Sequence, residues 1–271
     1  MALLETSLSE RNDGLGKGCL RFPKPVLVTT AVAYVANAVQ FDGSDYLTRS
    51  QDFVGNTKSS YGITSFWFKS NDSVKYVYNL GVDNSVTCAI GFANSGSNTL
   101  VFDIYSGPPA WNELFFYDIL GTTYLNNQWH HCLTSWSTSG QNVNIVHYYL
   151  DDTKITPITG ASNAPPWTIA YTGSNHYIGT YGTGAGDLPI NAGISELYIN
   201  VAEFLDFSVV ANRRKFISAD LKSVNLGSDG STPTNNAPLV YLKNSASTFQ
   251  NNLGAGGNLT AVGTLTNITG P

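Results

Sequence analysis

Residues 129–137, WHHCLTSWS, are typical of the segments that decide the fold. Helical periodicity is nearly absent from the chain. Short period-two segments rich in Val, Ile, Tyr, Phe and Thr recur instead, between clusters of Gly, Asn, Asp and Ser. The clearest of them are 38–41, 63–69, 75–80, 87–92, 99–105, 114–118, 129–137, 144–151, 176–179 and 194–200. Ten or more short strands with such frequent turns predict an all-β sandwich or barrel.

One segment departs from this pattern. Residues 208–218 (SVVANRRKFIS) open with Ser, a good N-cap, and carry Arg213, Arg214 and Lys215 near their end. Cations at that position suit the negative end of a helix dipole. We therefore predict one short helix that closes the domain.

The composition divides the chain into three parts. Residues 1–35 form an N-terminal arm, residues 36–218 the β-sandwich, and residues 219–271 a C-terminal extension rich in Gly, Asn and Thr. A tail of this composition loses much conformational entropy on ordering, so it orders only against a surface. That surface is either its own domain or a neighbouring subunit, and the sequence leaves both open.

Composition also excludes several classes of partner. Only 12% of the 271 residues are charged and the net charge is −5, so the electrostatic footprint for nucleic acid is missing. No stretch of about 18 apolar residues predicts a membrane span, and the first residues do not resemble a secretory signal. Cys19, Cys88 and Cys132 lack metal-ligand spacing and fit a chain made in a reducing cytoplasm, with Cys88 and Cys132 as buried thiols.

Four segments, in this order, resemble the laminin-G-like, concanavalin-A-like jelly roll. They are 38–47 (AVQFDGSDYL), 65–69 (SFWFK), 128–132 (QWHHC) followed by 149–152 (YLDD), and 177–179 (YIG) with 193–199 (GISELYI). The resemblance spans residues 38–217 and implies a β-sandwich of that type.

Three local expectations accompany this resemblance. Trp67 and Trp129 would fill the space between two sheets packed about 10 Å apart. His130 and His131 would point to opposite faces, so that at most one of them is buried. Asp152 stands where the family usually has Gly, which implies a turn that tolerates positive φ.

The C-terminal stretch resembles a tail that virion proteins of tailed bacteriophages append to the same jelly roll. The matching pieces are 220–222, 225–230, 237–242 and 252–258. This resemblance implies a structural protein on the capsid, as a decoration protein, or on the tail surface. It also implies a location on the virion, production in the host cytoplasm with release by lysis, and other virion subunits as partners, with a homo-oligomer expected.

The residues argue against an enzyme. The concanavalin-A-like fold also includes β-glucanases, which use closely spaced carboxylates in an E-x-D-x-x-E pattern. The five glutamates, Glu5, Glu10, Glu113, Glu196 and Glu203, do not form it. No G-x-S-x-G elbow is present, although four histidines leave a Ser-His-Asp arrangement formally open. We expect no catalysis and a structural role for Glu196.

Two tryptophans and three acidic loops are candidates for ligand contact. Trp111 and Trp167 stand among prolines, and exposed aromatic rings on rigid loops suit sugar stacking or subunit contacts. The alternative is a ring packed on its own sheet. Oxygen-rich loops at 83–84, 151–152 and Asp187 could serve Ca²⁺, which favours six to eight oxygen ligands, but they equally fit solvated turns. We expect no other metal or cofactor.

Two interpretations of function follow. The first is a non-enzymatic structural protein of a phage virion, held on the capsid or tail surface by subunit contacts. The alternative is a lectin-like module that binds host or environmental glycans. Under the alternative, Trp111 and Trp167 are solvent-exposed and the soluble protein binds cell-surface polysaccharide.

Overall fold

The computed structural model describes residues 34–71, 75–80, 88–94, 98–106, 112–119, 123–139, 145–156, 158–159, 168–169, 171–180 and 189–271. Its strands are β1 (Ala38–Asp42), β2 (Tyr46–Arg49), β3 (Tyr61–Lys69), β4 (Lys75–Leu80), β5 (Cys88–Asn94), β6 (Asn98–Ser106), β7 (Asn112–Ile119), β8 (His130–Ser137), β9 (Ile145–Leu150), β10 (Thr153–Lys154), β11 (Ile158–Thr159), β12 (His176–Ile178), β13 (Asn191–Asn200), β14 (Val240–Leu242), β15 (Thr260–Val262) and β16 (Thr266–Ile268). A helix α1 (Val210–Arg213) and a 3-10 turn (Ala246–Thr248) complete the elements. No helix in these residues has the length and apolar character to cross a membrane.

The strands form two antiparallel sheets that share one core. The first sheet has the order β10-β9-β8-β3-β13-β1-β16, with β14 also paired to β13, and the second has the order β11-β7-β6-β5-β4-β12-β2-β15. Each of the ten predicted segments coincides with an observed strand. The prediction of an all-β sandwich is therefore confirmed. Nearly all of the N-terminal arm, with Cys19, lies outside the described residues.

The C-terminal extension is built into its own domain. β14 pairs with β13, β15 pairs with β2, and β16 pairs with β1. The chain therefore adds one strand to the second sheet and two to the first within its last thirty-two described positions, 240–271. Of the two surfaces left open by the sequence, its own domain is the one that orders this segment.

Among the described residues, the tryptophan between the sheets is Trp136, so the prediction that Trp67 and Trp129 fill this space is wrong. Trp136 is fully buried, and its indole N–H donates to the Tyr171 hydroxyl at 2.9 Å. It packs over Gly62 on β3, where an added Cβ would overlap the indole ring. The glycine thus creates the room that the large ring occupies.

Trp67 and Trp129 lie elsewhere for reasons of alternation and position. Trp67 alternates along β3 with the core residue Phe66, so it points away from the second sheet. Its ring packs against His131, with centroids 4.8 Å apart. Trp129 precedes β8 and lies half-buried, its indole N–H donating to the Thr269 carbonyl at 3.0 Å.

Both histidines of the W-H-H segment are buried, so the prediction that at most one is buried is wrong. His130 is 9% exposed and His131 only 1%. They point to opposite faces as expected, but the outer face of the first sheet is also covered by chain. Residues 201–239, here called the outer cover, place Phe207 and Phe216 against Tyr198 of β13. Antiparallel sheets often leave such a face to water, whereas here the middle of the face is covered.

The predicted helix over 208–218 is shorter than expected, and Ser208 does not cap it. Helix α1 is preceded by Val209, without a side-chain cap. The Ser208 hydroxyl donates to Asp206 Oδ1 at 2.5 Å, and the same oxygen accepts the Ser208 backbone N–H at 2.8 Å. Because that hydroxyl is already engaged in a local turn, it cannot reach the first turn of α1.

The turn between β9 and β10 has the conformation expected from its sequence. Asp151 and Asp152 have φ values of 47° and 61°. Asp152 accepts hydrogen bonds from Arg213 Nε at 2.5 Å and Arg214 Nη2 at 2.6 Å, which tie the outer cover to this hairpin. Burial alone would raise the pKa of Asp152, but the two arginines outweigh it and lower the pKa.

Candidate functional site

An open groove of about 390 Å³ lies where the outer cover meets the start of β3, and we call it the outer groove. The polypeptide reaches it from four places: the first residue of β3, the segment after β13, the residues after α1, and the loop before β14. Its lining residues are Tyr61, Ala202, Glu203, Phe204, Leu205, Lys215, Pro233, Thr234 and Asn235.

One wall of the outer groove is formed where the chain leaves β13. The side chain of Asn200 accepts the backbone N–H of Ala202 at 2.9 Å, which turns the chain away from the sheet. The amides of Asn200 and Asn236 donate to the two carboxylate oxygens of Glu203, at 3.0 Å and 2.6 Å. The backbone N–H of Leu205 donates to Ser135 Oγ at 3.1 Å. Glu203 is thus held in place by amides from both sides of the groove.

Another part of the groove lining carries a cation. Lys215 Nζ donates to the Pro233 carbonyl at 2.9 Å, which fixes the ammonium beside the loop 233–235. Asn235 follows with a φ of 67° and is exposed. A fixed carboxylate and a fixed ammonium therefore face one shared space with an exposed amide.

Aromatic rings complete the site. Tyr61 and Phe204 are both partly exposed at the groove. The ring of His147 lies 5.7 Å from that of Phe204, and its Nε2 lies 3.3 Å from Asp206 Oδ1. The groove thus combines ring surfaces with a few fixed polar groups, which is the usual composition of a small-molecule site.

The histidine clusters of β8 are not arranged as a catalytic centre. Ser65 Oγ and His131 Nε2 lie 2.9 Å apart, but both side chains are buried and no substrate atom can reach them. Burial lowers the pKa of His131 to about 3, despite the nearby charges of Asp151 and Asp152. Such an imidazole is neutral at physiological pH. Because it is also a weak base, it is poorly suited to proton transfer in catalysis.

His130 and the two aspartates of the turn 151–152 also have protein partners. Asp151 Oδ2 lies 2.7 Å from His130 Nδ1, and Asp151 Oδ1 accepts the backbone N–H of His131 at 2.8 Å. With Asp152 held by two arginines, the carboxylates proposed as oxygen ligands at 151–152 already have protein partners. In the part of the chain that the structure describes, no group of three or more His, Cys, Asp or Glu side chains could hold a metal ion.

Glu196 anchors three segments of chain. It lies in a bulge of β13 with a φ of 51° and is 2% exposed. Its two oxygens accept hydrogen bonds from Tyr34, at 2.6 Å, and Tyr241, at 2.5 Å. Burial raises the pKa of Glu196, although both hydroxyls oppose that shift. A buried carboxylate enclosed by two tyrosines joins β13 and β14 to the chain that precedes β1.

The structure places the sequence-predicted residues as follows. Trp111, Trp167, Asp187 and residues 83–84 lie outside the described residues, as does the side chain of Cys88, so these predictions stay predictions. Cys132 is a buried free thiol, as predicted. Two residues of the outer groove carry a sequence signal: Lys215 as a helix-terminal cation and Glu203 as one of five glutamates. No local pattern joins the two, because the groove draws its residues from four distant segments.

Solved structures provide the comparison for this geometry, since no protein-family model and no curated protein matches the sequence. A heptameric SAP-like pentraxin from Limulus polyphemus is 12% identical, with a TM-score of 0.53 over 89% of this chain and 98% of that chain. A putative carbohydrate binding protein from Bacteroides ovatus is 16% identical, with a TM-score of 0.54 over 87% of this chain and 60% of that one.

Domains LG4–5 of the mouse laminin α1 chain also match, with 17% identity and a TM-score of 0.42 over 71% of this chain. This chain spans 49% of that laminin fragment and 60% of the Bacteroides protein. Likeness at these identities concerns the fold. Together with the sheet topology, the likeness to the pentraxin and to the Bacteroides protein shows that this chain has the jelly-roll fold of the laminin-G, pentraxin and concanavalin-A type.

Proposed function

We propose that this protein is a non-enzymatic carbohydrate-binding module and that its outer groove holds a saccharide. The observation that carries this proposal is the meeting of two partly exposed rings, Tyr61 and Phe204, with the polar groups of Glu203, Lys215 and Asn235. Ring faces cover the C–H surface of a sugar, while carboxylate, ammonium and amide groups exchange hydrogen bonds with its hydroxyls. One carboxylate and one ammonium balance each other, which favours a neutral sugar.

Two further points support this proposal. The fold is shared with the Bacteroides ovatus protein described as a putative carbohydrate binding protein. Glycoside hydrolysis needs two carboxyl groups, and the residues that line the outer groove include one, Glu203. Binding without cleavage is therefore the activity that this groove supports best.

The test is a binding measurement on Phe204→Ala. A glycan array of neutral oligosaccharides identifies ligands of the wild-type protein, and calorimetry then compares variants. We expect Phe204→Ala to weaken binding about tenfold or more, because it removes one stacking surface. The matched control is Tyr46→Ala, a half-buried ring on the second sheet, which should bind like wild type. Unchanged binding by Phe204→Ala, or loss in the control alone, contradicts the proposal.

We also propose that the module is displayed on the virion of a tailed phage, on the capsid or tail, and leaves the host by lysis. The resemblance of residues 220–258 supports this, and so do the exposed edges of the sandwich. β15 and β16 each pair on one side with a described strand, and residues 259–269 (LTAVGTLTNIT) carry no charge. Uncharged edges can accept strands of neighbouring subunits, including a second copy of this chain.

Imaging of purified particles with gold-tagged antibody tests this location. Label over the capsid or at the tail supports the proposal, and particles without label contradict it. Deletion of residues 244–271 is a poor test, because it removes two strands that complete the sandwich itself.

A further inference from the structure

A second groove lies at the other end of β3, and we call it the amide groove. Its volume is about 660 Å³, and its lining residues are Gln40, Lys69, Asn127, Asn267, Ile268 and Thr269. Tyr61 and Lys69 are the first and last residues of β3 and point to the same face. At roughly 3.3 Å per residue, the two grooves are separated by about 26 Å along the strand.

A glycine lies between two of the residues that line the amide groove. Gly193 of β13 lies opposite Gln40 of β1 and opposite Lys69 of β3, so the position between these two side chains has no side chain of its own. An added Cβ there would lie 2.6 Å from Ile268 Cδ1 and 3.1 Å from the ring of Trp129. The missing side chain lets both groups approach the sheet, and Ile268 is one of the residues that line the groove.

Three side chains of the amide groove have N–H donors without a protein partner among the described residues. Among the described residues, the ammonium of Lys69 and the side-chain amide of Asn127 have no hydrogen-bond partner. Asn267 uses its Oδ1 to accept the Ala246 backbone N–H at 2.8 Å, which leaves its NH₂ group available. Gln40 differs, because its NH₂ already donates to Phe41 and Asn191.

The charge of this groove is not balanced. Its six lining residues include one ammonium and no carboxylate, in a chain whose net charge is −5. The lining of the outer groove, by contrast, includes both Glu203 and Lys215. Charge-assisted hydrogen bonds from ammonium and amide N–H groups to an anionic oxygen are stronger than those to a neutral one.

We infer that the amide groove binds the anionic group of an acidic saccharide, a carboxylate or a sulfate, with Lys69 as its main contact. This inference rests on the proposed function for the saccharide nature of the ligand, but it concerns different residues. Lys69 supplies the charge, and Asn127 and Asn267 supply the neutral donors around it.

The test is calorimetry at low salt with three probes: an oligogalacturonate, a sulfated oligosaccharide and a neutral oligosaccharide of equal length. We expect at least one anionic probe to bind, and Lys69→Gln to weaken it about tenfold. Lys69→Arg should stay within about threefold of wild type, since the charge remains. Lys222→Gln is exposed and changes the net charge equally, so it should bind like wild type. The anion that binds identifies carboxylate or sulfate as the group recognised.

Two results would overturn the inference: no binding of either anionic probe, or equal losses for Lys69→Gln and Lys222→Gln. Phe204→Ala separates this inference from the proposed function. If Phe204→Ala loses neutral ligands while Lys69→Gln leaves anionic binding unchanged, the outer groove stands and the amide groove does not. If neutral saccharides fail to bind but anionic ones bind through Lys69, the amide groove stands alone.

Discussion

Both faces of the first sheet are buried over its central strands, but they are buried by different means. The inner face meets another sheet through side chains such as Phe66, Phe68 and Ile194, which need no hydrogen bonds. The outer face meets irregular chain and contains polar groups such as His131 and Glu196. Burial of the first kind is favourable in itself, whereas burial of the second kind is tolerated only where hydrogen bonds replace water.

The outer face therefore depends on specific partners. Glu196 has two tyrosine hydroxyls, and His131 Nε2 has Ser65. The other ring nitrogen of His131 has no hydrogen-bond partner among the described residues. An incompletely paired polar face is less stable than an aliphatic one, and this difference can be measured.

The largest expected effect is on the inner face. Trp136→Ala should lower the free energy of unfolding by about 3–5 kcal/mol, because rigid strands cannot collapse around the lost indole. Trp67→Ala, on the outer face, should cost at least about 1 kcal/mol less, since the outer side is closed by irregular chain that can move inward. Urea unfolding compares the two variants. Equal losses would show that the outer side is as rigid as the core between the sheets.

A smaller effect is expected from Tyr241→Phe. This change removes one of the two donors to Glu196 and leaves a buried carboxylate oxygen unpaired, at a cost of about 1.5–3 kcal/mol. Tyr46→Phe, a half-buried tyrosine of the second sheet, is the control and should change stability by less than about 0.5 kcal/mol. Chemical unfolding at neutral pH measures the change in the free energy of unfolding for both variants. Similar changes would contradict the anchoring role of Glu196.

The last prediction concerns a slope with pH, which is small over any one pH unit but accumulates as the pH falls. Burial lowers the pKa of His131 from 6.5 to about 3. As the pH falls from 6.5 towards 3, the unfolded chain binds a proton that the folded chain does not, so stability falls by at most about 1.4 kcal/mol per pH unit. Asparagine does not titrate, so the His131→Asn variant does not lose stability in this way. The difference in the free energy of unfolding between wild type and variant should therefore shrink as the pH falls. Parallel pH profiles for the two proteins would contradict this.

The inner face was predictable from sequence, and the outer face was not. A period-two pattern records which residues alternate, so the ten strands of the sandwich followed from it directly. The same pattern cannot tell whether the polar side faces water or other chain, because that depends on residues 201–239. The burial of His131 and the outward position of Trp67 were missed for this reason.

The C-terminal strands and the candidate site could not be predicted from local sequence patterns either. Residues 260–268 resemble a flexible linker because they are short, Gly-bounded and uncharged, and their strands form only by pairing with β2 and β1. Glu203, Phe204, Lys215 and Tyr61 become neighbours only after the outer cover folds onto β3. A tryptophan among prolines is a local sequence pattern, whereas a groove assembled from four segments leaves no such pattern.

The position of β15 and β16 at the end of the described chain also determines when during synthesis the two sheets can be completed. β16 pairs with β1, where Ala38 lies opposite Ile268. The ribosome therefore makes every other described strand before it makes β16, the second neighbour of β1. Until then the edges of β1 and β2 remain open in the nascent chain, and contacts of such long range form slowly. A product whose translation stops before residue 260 lacks both strands, so the edges of β1 and β2 that they cover stay unpaired in it.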